Sequence, residues 1–354
     1  RPNLLVVVTD DQRYDQLSCE GHPVLKTPNM DRLAAEGLRF ANSFVTTSIC
    51  AASRASLMTS RWEGSHGYTF GTPAMGEQLA DETYFARLHE AGYSTGFVGK
   101  WGVRFDPGVM AEHLDTRRSL SPPYLRARDG EDARHLTDRA ADEAIGFIEQ
   151  QDGDRPFCLT LSFNAPHAED PNPLQYIPPR DLAELHADAE VALPPLSESG
   201  VFEALPDFLR GSLNRERWGW RFDTREKQVK RTLDYWRMIA GVDRALGRVL
   251  DALDEQGLAQ DTVVVFTSDN GYFLGERGFA GKWLIYEESV RVPLIIHDPR
   301  LPEDQRGRVL EPMVLNVDLA PTLLALAGVE APEAYEGRSL VPLFEQAPED
   351  WRSD

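Results

Sequence analysis

Two short apolar runs each end in a pair of oxygen donors. Leu4-Leu5-Val6-Val7-Val8 leads into Thr9-Asp10-Asp11, and Thr262 to Phe266 leads into Ser268-Asp269-Asn270. Open α/β sheets bind ligands beyond the carboxyl ends of their strands. Adjacent carboxylates repel one another, and burial worsens the repulsion unless a cation lies between them. Four oxygen donors without His or Cys suit a hard ion, Ca²⁺ and less readily Mg²⁺, rather than zinc. Either pair alone reads better as a turn or a helix N-cap. Their recurrence after two buried strands favours a metal.

A third chemical element is the segment Ser48-Ile49-Cys50-Ala51-Ala52-Ser53-Arg54. Small residues lead into a helical pattern, so Cys50 is expected near a helix N-terminus. There the free N–H groups and the helix dipole stabilise an anion and lower a thiol pKa. Arg54, one turn on, faces the same side. The plainer alternative is a small-residue helix in the core with Arg54 in a structural ion pair, and spacing does not separate the two. A simple thiolate nucleophile is a further alternative, but a soft thiolate is a poor partner for a hard, oxygen-ligated cation.

These residues need a frame to hold them. Apolar spacing predicts helices over Met30 to Glu36, Thr137 to Gln150, Leu233 to Gln256 and Leu319 to Ala327, with another helix ending at Ala91. The strands fall between them, at Leu4 to Val8, Thr95 to Val98, Phe157 to Phe163, Thr262 to Phe266 and Val292 to Ile296. The alternation predicts an α/β fold, a large mainly parallel sheet with helices on both faces. Two segments break it, about 104–135 and 164–231, and read as functional insertions. Trp218, Trp220, Phe208 and Phe222 make the second unlike a disordered linker.

The chain has 354 residues and a net charge of −20. The long-range field repels polyanions, which excludes nucleic acid as a partner, while local cations and a metal still allow a small anionic substrate. Three cysteines, Cys19, Cys50 and Cys158, do not make a disulfide framework. No apolar run is long enough to span a bilayer. The abrupt start at Arg1-Pro2 reads as a mature or trimmed chain. In the second insertion, Trp218 and Arg221 are candidates to stack a sugar ring and pair with its acid groups, and Arg104 in the first is a further candidate at the substrate.

Cys50-Ala51-Ala52-Ser53-Arg54 resembles the formylglycine sequence of type I sulfatases, Cys-x-Pro-x-Arg with Ala in place of Pro. Further segments resemble that family in the same order: Asn3 to Asp11, Thr27-Pro28-Asn29-Met30-Asp31-Arg32-Leu33, Gly99-Lys100-Trp101, Asn164-Ala165-Pro166-His167, Ser268-Asp269-Asn270-Gly271 and Gly281-Lys282-Trp283. The resemblance implies an alkaline-phosphatase-like sulfatase fold over 1–345. It implies that Cys50 is oxidised by a formylglycine-generating or anaerobic maturase enzyme to an aldehyde, whose hydrate attacks sulfur. Asp10, Asp11, Asp269, Asn270 and residue 50 would bind Ca²⁺. Arg54 would hold the hydrate, Lys100 and Lys282 would neutralise sulfate oxygens, and His167 would protonate the leaving oxygen. The substrate would be a small-molecule or oligosaccharide sulfate ester, and the location periplasmic or secreted.

The sequence departs from the family pattern at two places. Gly102 stands where relatives place a histidine that contacts residue 50, so Arg104, His113 or His135 is expected to fill that space. Residues 346–354 read as the start of a C-terminal subdomain that is truncated or absent. The competing readings are a phosphate or phosphonate monoester hydrolase of the same superfamily, and a catalytically inactive glycan-binding relative.

Overall fold

The computed structural model describes residues 1–126, 133–170 and 172–352. Part of the first expected insertion, 127–132, and residues 353–354 lie outside the described residues.

Eight strands form one sheet. Their spatial order is Arg308–Leu310, Leu38–Phe40, Leu294–His297, Thr262–Ser268, Asn3–Asp10, Phe157–Pro166, Ser94–Gly99 and Thr116–Ser119. Leu294–His297 is antiparallel to both neighbours, and every other pairing is parallel. The expected mainly parallel sheet is therefore present. Asn3–Asp10 lies at its centre and is buried throughout. Alternate side chains enter the two cores, Leu4, Val6 and Val8 on one face and Leu5 and Val7 on the other, as the two-residue period of a strand requires.

The helices Pro28–Glu36, Leu136–Glu149 and Arg225–Glu255 cover one face through Met30, Ala144, Ile239 and their neighbours. The helices Cys50–Thr59, Tyr84–Glu90 and Leu319–Leu326 cover the other through Ala55, Phe85 and Leu323. The register sets Thr9 beside Ser268, Asp10 beside Pro166 and Gly99 beside Ser162. Four carboxyl ends thus lie together at one edge of the layer.

Two features depart from the sequence reading. The long helix begins at Arg225, not Leu233, and Thr224 caps it by accepting a hydrogen bond from the Lys227 amide at 3.2 Å. Its first turns are polar and half-exposed, so they carry no apolar stripe. Thr116–Ser119, inside the first insertion, is a strand. It pairs only along its backbone at the sheet edge, so Thr-Arg-Arg-Ser needs no apolar alternation. The second insertion folds into the helices Ser199–Glu203, Asp207–Arg210 and Leu213–Arg221. Near the end of the chain, the Trp351 indole donates to Met313 O at 2.8 Å and Arg352 pairs with Asp318, so this segment packs onto the main body.

Candidate active site

The two central strands deliver the carboxylates. The Asp269 amide donates to Thr9 O at 3.0 Å and the Asp11 amide to Asp269 Oδ1 at 3.3 Å, locking the two strand ends together. Asp11 has φ 70°, a left-handed turn that Asp tolerates better than most residues. The Tyr235 hydroxyl from the long helix donates to Asp11 O at 2.7 Å. Asp10, Asp11, Asp269 and Asn270 are all buried.

Cys50 is the first residue of its helix, so the expectation for its position holds. Its Sγ and carboxylate oxygens of Asp10 and Asp269 lie within 4.8 Å of one another. Cys19 and Cys158 are elsewhere and unpaired, and burial pushes the Cys19 thiol up to about 12.

Three cations enter the cluster, Arg54 from the helix that carries Cys50 and the two lysines from elsewhere, and each pairs with a carboxylate. Lys100, just beyond Ser94–Gly99, pairs with Asp10, and Lys282 with Asp11. Arg54 donates from Nε to Asp269 Oδ2 at 2.8 Å, and from Nη1 to Lys100 O at 2.8 Å and Ser162 Oγ at 2.5 Å. Burial alone would push Asp10 up, but Lys100, His167, Lys282 and Arg54 together hold it well below the carboxylate range. Asp269 moves the other way, raised by burial and by the charge of Asp10. One carboxylate of the pair is favoured as the anion because the two share a dry site.

His167 follows Phe157–Pro166. Its Nδ1 lies 2.6 Å from Ala168 O, a carbonyl that only accepts, so the ring proton sits on Nδ1. Nε2 then faces the cluster, 3.7 Å from Asp11 Oδ2. Burial pulls the imidazole below its usual pKa, opposed by Asp10 and Asp11.

Asp10 Oδ1 and Asn270 Oδ1 are buried without a hydrogen-bond partner, although cations surround the cluster. Two idle oxygens in an all-oxygen donor set fit a hard divalent cation. Asp10, Asp11, Asp269 and Asn270 are the residues that would hold it, with the side-chain atom of residue 50 alongside.

The residues expected at substrate behave differently. Arg221 is buried and spent, donating from Nη1 to Tyr272 Oη at 2.7 Å and pairing through Nη2 with Asp170. It braces the insertion and does not present itself to a ligand. Trp218 is half-buried against the core, with the Arg215 guanidinium 3.8 Å over its ring. Arg104 is exposed, in the loop that follows Trp101.

The proposed stand-ins for a histidine at 102 also resolve. His135 caps the helix Leu136–Glu149, and its Nε2 lies 2.8 Å from Ile177 O. His113 pairs with Asp81 at 3.0 Å, and its carbonyl accepts from Thr95 Oγ1 near the amino end of Ser94–Gly99. The atoms nearest a Cβ placed on Gly102 belong to Arg54, so neither histidine fills that space.

Sequence reasoning missed the supports. Ser162 donates to Lys100 O at 2.9 Å. Asn214, from the helix Leu213–Arg221, donates to Lys282 O at 2.7 Å. Tyr124 donates to His167 O at 2.7 Å. Ser162 lay in a recognised strand, but nothing near Asn214 or Tyr124 signals its partner.

The fold is of the alkaline phosphatase type, with carboxylates interleaved with cations at its carboxyl edge. A sequence profile of the sulfatase family matches residues 2–329. The N-acetylglucosamine-6-O-sulfatase of Bacteroides thetaiotaomicron is 30% identical over 99% of this chain and 73% of its own length. The arylsulfatase of Clostridium perfringens is 27% identical over 99% of this chain and 80% of its own. A solved structure in complex with its substrate, D-glucosamine-2-N,6-O-disulfate, superposes with TM-score 0.82 at 27% identity, covering 99% of this chain and 82% of that one. The phosphonate monoester hydrolase of Agrobacterium radiobacter superposes with TM-score 0.78 at 24% identity, a likeness of fold. The chain belongs to the sulfatase family, and it is a sulfate ester hydrolase.

Proposed function

We propose that this sulfatase releases sulfate from a carbohydrate sulfate ester, using residue 50 as formylglycine beside a Ca²⁺ held by Asp10, Asp11, Asp269 and Asn270. The observation that carries the reading is the approach of the residue-50 side chain to Asp10 and Asp269 at a helix N-terminus. The Cys50 Sγ stands in for the side-chain oxygen of the modified residue.

When bound, the divalent cation lowers the pKa of a nearby hydroxyl at neutral pH. The hydrated aldehyde supplies both a nucleophilic oxygen and a second hydroxyl for release. The rest falls to groups of the chain. Lys100 and Lys282 are ion-paired to Asp10 and Asp11; were a cation to take up those carboxylates, both ammonium groups would be available to the sulfate oxygens. Arg54 is anchored on three sides, and its Nη2 is buried without a partner, a free donor beside residue 50. His167, held through its Nδ1–H by Ala168 O, would carry a second proton on Nε2 in the imidazolium form that Asp10 and Asp11 favour, and would give that proton to the leaving oxygen. A carbohydrate substrate is supported by the relative that acts on N-acetylglucosamine 6-sulfate. The maturation step requires a formylglycine-generating or anaerobic maturase enzyme. A periplasmic or secreted location fits the kinship with a protein named as an extracellular sulfatase, and no helix of the described residues is long and apolar enough to cross a membrane.

The test has two parts. Peptide mass spectrometry of protein from its native host should find residue 50 as aldehyde, and an unmodified thiol there overturns the nucleophile. Matched aryl sulfate and aryl phosphate esters should be turned over with sulfate strongly preferred; the opposite ratio moves the chain to phosphate or phosphonate monoesters.

A further inference from the structure

The loop that follows Lys100 encloses a cavity of about 560 Å³, within the usual range of small-ligand pockets. Trp101, Phe105 and Leu114 supply apolar wall, and Arg104 and Arg117 supply charge. The loop is held in shape. The Met75 amide donates to Arg104 O and the Asp106 amide to Met75 O, both at 2.9 Å. The Trp101 ring packs edge-on against Phe97 at 4.7 Å between centroids. Arg117 projects from the edge strand Thr116–Ser119 with its guanidinium 5.5 Å from the Trp101 ring centre.

Two arginines without a hydrogen-bond or ion-pair partner among the described residues are unusual in this chain. Its net charge is −20, and most of its guanidinium groups find a carboxylate or a carbonyl. The side chains of Arg104 and Arg117 have no hydrogen bond or ion pair among the described residues, and Asp106 is the one acid on the lining. The local excess is positive where the global field is negative, so the cavity attracts an anion that the remaining surface repels. The cavity also adjoins the site. Trp101 is bonded directly to Lys100. The Tyr68 phenol lies against the backbone of Arg104 and within electrostatic reach of residue 50.

We propose that this cavity is a second subsite, which binds an anionic group, carboxylate or sulfate, on the sugar unit next to the one that loses its sulfate. The ring of that unit lies along Trp101 and Phe105, and Arg104 and Arg117 form charge-assisted hydrogen bonds to its acid group. This rests on the reading of the chain as a carbohydrate sulfatase and extends it from a lone sulfated sugar to an acidic oligosaccharide.

The test compares three substrates: N-acetylglucosamine 6-sulfate linked to a neutral sugar, to a uronic acid, and to a sulfated sugar. The unaltered enzyme should show higher kcat/KM on the two with a second anion. That preference should fall about tenfold in Arg104→Gln and in Arg117→Gln, and further in the double variant. Loss on the uronate alone identifies a carboxylate subsite, and loss on the disulfated substrate alone a sulfate subsite. An unchanged preference in the double variant overturns the proposal. Calorimetric titration of an unsulfated uronyl disaccharide into the unaltered and double-variant proteins decides the subsite independently of turnover. Binding that is abolished by the double substitution supports it even if no sulfate is released, and equal binding overturns it.

Discussion

A Cβ placed on Gly102 would lie 2.5 Å from Arg54 Cδ and 3.0 Å from its Nε. Gly102 has φ +71°, which L side chains rarely adopt, so both its backbone and its surroundings demand glycine. The Arg54 side chain occupies the volume that a histidine at 102 would need. Gly102→Ala should therefore destabilise by about 1–3 kcal/mol through overpacking and strain. In an Arg54→Ala background only the backbone strain remains, so the cost should drop to about 1 kcal/mol. Urea unfolding of the four proteins measures the coupling, and additive costs would show that the two residues do not share this space. Gly102→His, which restores the commoner family residue, should lower kcat rather than raise it.

The three cation–carboxylate pairs imply that the site survives without the proposed metal. Lys100, Lys282 and Arg54 each neutralise one acid. Chelation should abolish turnover yet leave a folded protein. Ca²⁺ at about a hundred times its Kd should then return about 2.7 kcal/mol, a rise in Tm of a few degrees for a chain of this length. Asp269→Asn should shrink that rise. A Tm indifferent to Ca²⁺ in both proteins would remove the metal from the scheme.

Much of this site was legible in the sequence, for a specific reason. Asp10, Asp11, Asp269 and Asn270 follow apolar strands, and the carboxyl edge of a parallel sheet collects whatever follows its strands. Cys50 was legible because a helix start can be read from small residues. What was not legible depends on partners distant in the chain. Arg221 looked like an exposed sugar ligand until Asp170 and Tyr272 were placed beside it. Thr116–Ser119 carries no strand pattern because an exposed edge imposes none. Gly102 was visible as a departure, but the arginine that fills its place belongs to another element.

His135 makes stability depend on pH. Burial pulls its pKa from 6.5 down to about 4, opposed by the Ile177 carbonyl. Between those values the unfolded chain binds the extra proton, so stability rises with pH through that window. The contribution is complete above pH 6.5 and is lost as pH falls towards 4, a change of up to about 3 kcal/mol. His135→Gln should flatten the dependence of unfolding free energy on pH between 7 and 4. An equally steep profile in the variant would place the effect on other groups, and His22, also pulled down to about 4 by burial, is the next to substitute.

Lys282 owes its position to Asn214. The Asn214 amide donates to Lys282 O at 2.7 Å, and its Oδ1 would lie 2.3 Å from a Cβ on Gly281, whose φ is +132°. The helix Leu213–Arg221 therefore presses directly on the segment that carries the lysine, and glycine is what permits the approach. Asn214→Ala removes the hydrogen bond and leaves the Lys282 carbonyl buried, costing about 1–3 kcal/mol. Because Lys282 remains present but is less well held, kcat should fall about tenfold while KM changes little. Lys282→Ala should cost more, about a hundredfold or greater in kcat. In a Lys282→Ala background the kcat effect of Asn214→Ala should vanish, since the residue it positions is gone. Full additivity of the two on kcat would mean that Asn214 acts on turnover by another route.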